Sequence, residues 1–117
     1  MVSTFEFSGN VVGMMVNADI DEAKLKEIHN KIKARFADHK KLNLFIEVEK
    51  GADIPLHIII KDLYFKVKHA GQFNKIAVVT ESTKFTYSSK LKGLLLDAEV
   101  LTFTQEERLQ AMNWIAH

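Results

Sequence analysis

The sequence predicts an α/β fold: a mostly parallel sheet of about five strands, with an N-terminal antiparallel hairpin and helices packed around it. Three observations carry that expectation. Between Leu42 and Thr80 an apolar strand (LNLFIEV), a short acidic loop, a long apolar helix and a second apolar strand (KIAVVT) follow one another, and parallel neighbours need a crossover of this kind. These two strands and the earlier VVGMMV are continuous apolar runs, the mark of strands buried on both faces. Finally, 117 residues that are 47% hydrophobic with one Pro suit a single core, hence a single domain over 1–117.

Composition narrows the function classes. With 16 Lys and Arg against 15 Asp and Glu, the net charge of +1 supplies no global field for nucleic acid, and no nucleic-acid partner is expected. The chain has no Cys, which removes disulfides, thiolate nucleophiles and thiolate metal sites and fits a reducing compartment. The opening MVSTFEF has neither a basic start nor an apolar run, and no stretch approaches the roughly 20 apolar residues of a membrane span. A soluble, cytoplasmic protein without an integral membrane segment is expected.

Taken in order, STFEFS (3–8) alternates polar and apolar residues, and Gly9-Asn10 suits a tight turn into VVGMMV. Gly13 within that strand is a candidate bulge or point of close approach. Asp19 and Glu22 approximate a capping box for a helix running to about Asp38, with Ile20, Leu25, Ile28, Ile32 and Phe36 as its buried stripe. From Lys24 to Lys41 there are seven Lys or Arg and two acids, so this helix is locally basic. No aromatics interleave the charges as base stacking requires, so a solvated outer face is the expectation.

After LNLFIEV comes the loop 47–54, with three acids and one Lys, and then Pro55 at the predicted first helical position. The helix Pro55 to Ala70 presents Leu56, Ile59, Ile60, Leu63 and Val67 as one apolar face, flanked by Ile58, Tyr64 and Phe65. That exceeds what one sheet contact uses, so core burial, a dimer contact and the wall of an apolar groove are all open. Gly71 is the expected C-terminal cap. KIAVVT leads into ESTKFTYSSKLKG, where Phe85, Leu91 and Leu94 suit an irregular helix. The last strand is expected over Asp97 to Phe103. Thr104 and Glu107 then form a second capping box, opening a helix that buries Leu109, Met112, Ile115 and one side of Trp114.

At these residues the chain resembles the SpoIIAA-like family of STAS/SEC14-type domains. The resemblance covers nearly the whole chain. It is carried by the Gly13 strand and the helix after it, KDLYFKVKH from Lys61 to His69, FNKIAVV from Phe73 to Val79, VLTF, and the closing Ala111, Trp114 and Ile115. It implies a STAS-like sheet flanked by helices in a small bacterial protein. Anti-anti-sigma members of the wider group carry a phosphorylatable Ser between the third strand and its helix. Here loop 47–54 holds no Ser or Thr, only fixed negative charge. SEC14-type lipid binders are much larger, so the resemblance implies a shallow apolar groove at most.

Ligands of open α/β sheets bind at the carboxyl ends of strands. That rim gathers Glu47, Glu49, Asp53, Thr80, Glu81, Ser82 and Thr104, acids and hydroxyls ordinary for strand ends and helix starts. The histidines are His29, His39, His57, His69 and His117, none paired at three- or four-residue spacing. His57 and His69 lie about 120° apart around their helix. No metal and no cofactor is expected. His57, four residues after Asp53, reads as a locally bonded residue at a helix start. No nucleophile elbow, P-loop or dinucleotide fingerprint is present, and Ser88-Ser89 lack a nearby base.

The expectation is therefore a non-enzymatic binding module that engages a protein partner or a second copy. Its candidate binding residues are Glu49, Asp53, His57, Tyr64, Phe65, Ser82, Phe85 and Tyr87. The alternative is a carrier or sensor of a small apolar ligand held between the long helix and Phe85, Tyr87 and Leu91. An enzyme using the acidic rim ranks third.

Overall fold

The computed structural model describes residues 3–6, 10–17, 20–52, 54–81 and 98–117. The elements are β1 (Ser3–Glu6), β2 (Val11–Val16), α1 (Glu22–Phe36), β3 (Leu42–Val48), α2 (Leu56–Lys68), a 3-10 turn (Ala70–Gln72), β4 (Phe73–Val79), β5 (Glu99–Phe103), a second 3-10 turn (Gln105–Glu107) and α3 (Arg108–Ala116). The strands form one sheet in sequence order, β1 to β5. β1 runs antiparallel to β2, and the pairs from β2 to β5 are parallel. Gly9 of the expected hairpin turn and the expected helix around Phe85, Leu91 and Leu94 lie outside the described residues.

The alternation of side chains along each strand builds two cores. Val12, Met14, Val16, Leu44, Ile46, Val48, Ile76 and Val78 face α1 and α2, which contribute Leu25, Ile28, Ile32, Ile58 and Phe65. Val11, Phe45, Ala77 and Val79 face the other way, onto Ala111 and Ile115 of α3. α1 and α2 share a face because both crossovers step the same way along the sheet, and crossovers of one hand then fall on one side. The opposite face is covered by α3, which follows the last strand, so its helix there comes from no crossover.

Several local expectations are corrected. α1 starts at Glu22, with Asp21 as its cap: the Asp21 carboxylate accepts the Lys24 N–H at 2.8 Å. The predicted cap Asp19 lies outside the described residues. Ile20 is buried ahead of the helix, beside Leu25 in the same apolar lining, a hydrophobic staple that fixes where the helix begins. The helix stops at Phe36, not near Asp38, with the N–H groups of Asp38 and His39 turned back onto the Arg35 carbonyl. Pro55 is the N-cap of α2, with φ −56° and ψ 137°, and its carbonyl opens the helical ladder by accepting from Ile58 and Ile59. His69, not Gly71, closes α2, and Gly71 falls in the 3-10 turn.

Gly13 pairs in regular register between Phe5 and Phe45. The register shift sits instead between Leu42 and Asn43 against β4. Among the described residues, Gly51 is the glycine with positive φ, 83°, at the centre of a turn closed by the Ala52 N–H on the Glu49 carbonyl. A side chain there would strain the backbone although space is open around it.

Candidate functional site

Among the described residues of the expected acidic rim, most are bonded within the chain. Glu47 lies within β3 and its side chain, 6% exposed, faces α3, where its carboxylate accepts from Arg108 Nε. Glu81 accepts the Gln105 N–H at 2.8 Å, and the Gln105 amide donates to the Val48 carbonyl at 2.6 Å. Thr80 is buried and its N–H bonds to the Phe103 carbonyl at 2.9 Å. At Thr104 the second capping box forms, with Glu107 accepting the Thr104 N–H at 2.9 Å. The ends of β3 and β4 are thus occupied by the chain's own C-terminal segment.

The rest of α3 is fastened in the same manner. The Asn43 amide donates to the Ile115 carbonyl at 2.9 Å, and Lys75 donates to the Trp114 carbonyl at 3.2 Å with its ammonium 5.2 Å from the Trp114 ring centre. Leu109, expected in the core, is instead 76% exposed. The 3-10 turn before α3 sets the helix phase so that Ala111 and Ile115 take the sheet side.

The opposite layer holds a groove of about 760 Å³ between α1 and α2. Its floor is His29 stacked on Phe65, with ring centres 3.9 Å apart and planes 6° from parallel. The His69 ring lies 4.6 Å beyond Phe65. Behind the floor, Asp62 bridges the two helices: Oδ1 meets His29 Nε2 at 2.8 Å and Oδ2 meets Lys66 Nζ at 2.6 Å. Burial acts to raise the Asp62 pKa, but the Lys66 ammonium and the His29 hydrogen bond outweigh it and hold the carboxyl down to about 2. His69 is shifted below its ordinary value by burial and by the nearby charges of Lys68 and Lys33. A second bridge joins Lys61 to Glu22 at 2.8 Å, and it lowers the Glu22 pKa.

The outer stripe of α2 is the clearest departure from a closed surface. Leu56 and Ile60 are each 57% exposed and Tyr64 70%. They stand at i, i+4 and i+8, one above the other on the helix. Of the predicted anchors, Tyr64 and His57 are exposed, whereas Phe65 is 8% exposed and packed on His29. Glu49 is exposed in the turn after β3. Asp53, Ser82, Phe85 and Tyr87 lie outside the described residues, as does Leu91. Beneath α1 and α2 a cavity of about 40 Å³, lined by Met14, Leu25, Ile46, Ile58 and other apolar residues together with Asp62, has room on the order of one water.

Sequence reasoning missed His29, Asp62 and Lys66 as a unit. Asp62 and Lys66 at i, i+4 were a readable ion pair, but His29 is 33 positions away from Asp62 and joins only through the packing of α1 on α2. Among the described residues, no group of three or more His, Cys, Asp or Glu is placed to hold a metal ion. None of their helices is long and apolar enough to cross a membrane.

Compared with known proteins, the chain matches the family model described as SpoIIAA-like over residues 11–116. No curated protein and no solved structure matches it.

Proposed function

Because the chain belongs to the SpoIIAA-like family, with the STAS-like fold of anti-anti-sigma factors, we propose that it is a non-enzymatic binding or regulatory module of the cytoplasm. It acts through protein–protein interaction at the outer face of α2, with a partner protein or with a second copy to form a dimer. The observation that carries this reading is the open stripe of Leu56, Ile60 and Tyr64. Three large apolar side chains aligned on one helix leave surface whose burial is favourable, at roughly 25 cal/mol per Å².

The absence of a catalytic role is inferred from how the reactive groups are used. Glu47 is held by Arg108, and Asp62 is clamped between His29 and Lys66, so the buried carboxylate and the part-buried one are both committed to internal contacts. The module works without a phosphorylatable Ser in loop 47–54, whose charge is fixed.

The test is affinity capture from cell extract with the wild type and with a Leu56→Glu, Ile60→Glu, Tyr64→Glu variant, alongside light scattering of both. Proteins retained by the wild type and lost by the folded variant, or a wild-type dimer that the variant converts to monomer, are the expected results. Identical capture together with identical mass would defeat the reading.

A further inference from the structure

We infer that the groove between α1 and α2 receives an acidic amphipathic helix of a different protein, its apolar stripe on Ile60 and Tyr64 and its carboxylates beside Lys26, Lys33 and Lys68. This rests on the reading of the chain as a binding module and adds the chemistry of the partner.

Charge complementarity is the first argument. The groove is lined by four lysines, Lys26, Lys33, Lys61 and Lys68, against one acid, Glu22. Glu22 is taken up by Lys61 at 2.8 Å. Asp62, the other carboxylate between the helices, is held by His29 and Lys66. Lys26, Lys33 and Lys68 are exposed and make no ion pair among the described residues. Lys33 and Lys68 line the same groove from its two helices, together with His69. Among the described residues, three ammonium groups therefore border an apolar floor and wall with no carboxylate paired to them.

Shape is the second argument. α1 and α2 each run back between parallel strands, so they point the same way, and the groove lies between them as a trough lined from both helices. A rod fits such a trough better than a plane does, which favours a helix over a membrane surface. Helix-in-groove recognition uses anchors at i, i+3, i+4 and i+7, and Ile60 and Tyr64 are spaced for such anchors to straddle. α2 has 13 residues, so the trough accepts about 20 Å of helix.

The partner is a different protein because no described helix of this chain is acidic. α1 carries Lys24, Lys26, Lys31, Lys33 and Arg35 against Glu22 and Glu27. α2 has one acid, Asp62, already bonded. α3 has Arg108 and no acid.

The experiment is selection of a displayed library of randomised amphipathic helices, as long as α2, on the purified full chain. Winners should carry Glu or Asp on both flanks of an apolar stripe. A synthetic winner, followed by fluorescence anisotropy, should bind a Lys33→Glu, Lys68→Glu variant about tenfold more weakly and should weaken with added salt. Both lysines are exposed, so the variant keeps its fold. Neutral or basic winners that are lost on Ile60→Glu would overturn the acidic helix and leave the binding module standing. Failure to obtain any winner sensitive to α2 would remove both. A wild-type dimer abolished by Tyr64→Glu would give the groove to a second copy, and lysine-dependent binding to phosphatidylglycerol vesicles without any helix winner would give it to a membrane; either overturns the inference.

Discussion

The two faces of the sheet are built from similar apolar strands but finish differently. On the α3 side a set of polar groups at the helix edge is tied to the sheet: Glu47 with Arg108, Asn43 with the Ile115 carbonyl, Lys75 with the Trp114 carbonyl, Gln105 with the Val48 carbonyl and Glu81. On the α1/α2 side the bonds join helix to helix, through Asp62 below and the exposed Lys61–Glu22 bridge above, while the outer seam keeps exposed Leu56, Ile60 and Tyr64 beside exposed lysines. The first face spends its polar groups on closing itself. The second holds its two helices together and leaves chemistry outward, which is what a recognition surface requires.

If that contrast is right, substitutions should separate the two faces by stability. The largest effect belongs to the closed face. Ile115 is fully buried against Phe45 and Ala77 in the smaller core, so Ile115→Ala should cost about 3 kcal/mol in urea denaturation. Leu109→Ala, six residues earlier on the same helix and 76% exposed, should change stability by less than about 0.5 kcal/mol. Equal effects would mean that α3 is packed in another phase.

The next effect tests the polar closure. Arg108→Ala strands the Glu47 carboxylate, 6% exposed, and should cost about 2–3 kcal/mol. Glu47→Gln should cost less, about 1 kcal/mol, because the half-exposed guanidinium left behind is reached by water. The asymmetry, read from paired chemical melts, distinguishes a buried charge from a surface pair.

How much of this was legible in the sequence follows from the same contrast. The sheet was readable because VVGMMV, LNLFIEV and KIAVV are apolar on both faces, and the inner stripe of α1 because Leu25, Ile28 and Ile32 keep helical spacing. The orientation of α2 was not. A helix with Leu56, Ile58, Ile59, Ile60, Leu63, Tyr64 and Phe65 is apolar nearly all round, so periodicity could not say that Phe65 turns inward while Ile60 and Tyr64 stay out. Glu47 read as a rim acid because nothing local foretells an arginine 61 positions later. The groove's floor was hidden for the same reason, since His29 and Phe65 meet only in the packed molecule.

On the open face the deepest polar contact should set the largest effect. Asp62→Asn removes the charge that His29 and Lys66 share, and a pKa held at about 2 against an ordinary 3.8 corresponds to about 2 kcal/mol. The sign follows from the depression. The contribution is complete above about pH 4 and is lost as pH falls towards 2. Wild type should therefore lose stability over that interval by about 2 kcal/mol more than Asp62→Asn does, in melts repeated at a series of acidic pH values.

The smallest change in stability belongs to the stripe itself, and it is the one most informative about function. Tyr64→Glu alters a side chain that is 70% exposed, so the fold should lose less than about 0.5 kcal/mol. The same substitution places a carboxylate where an acidic helix would have to lie, so binding to such a helix should fall by about tenfold or more. A residue that matters to binding and hardly at all to folding is the signature of a surface kept open for a partner. If Tyr64→Glu instead destabilised the chain as much as Ile115→Ala, the stripe would be covered by the protein's own structure. The two faces would then be equally closed, and the case for recognition at α2 would fall with the difference between them.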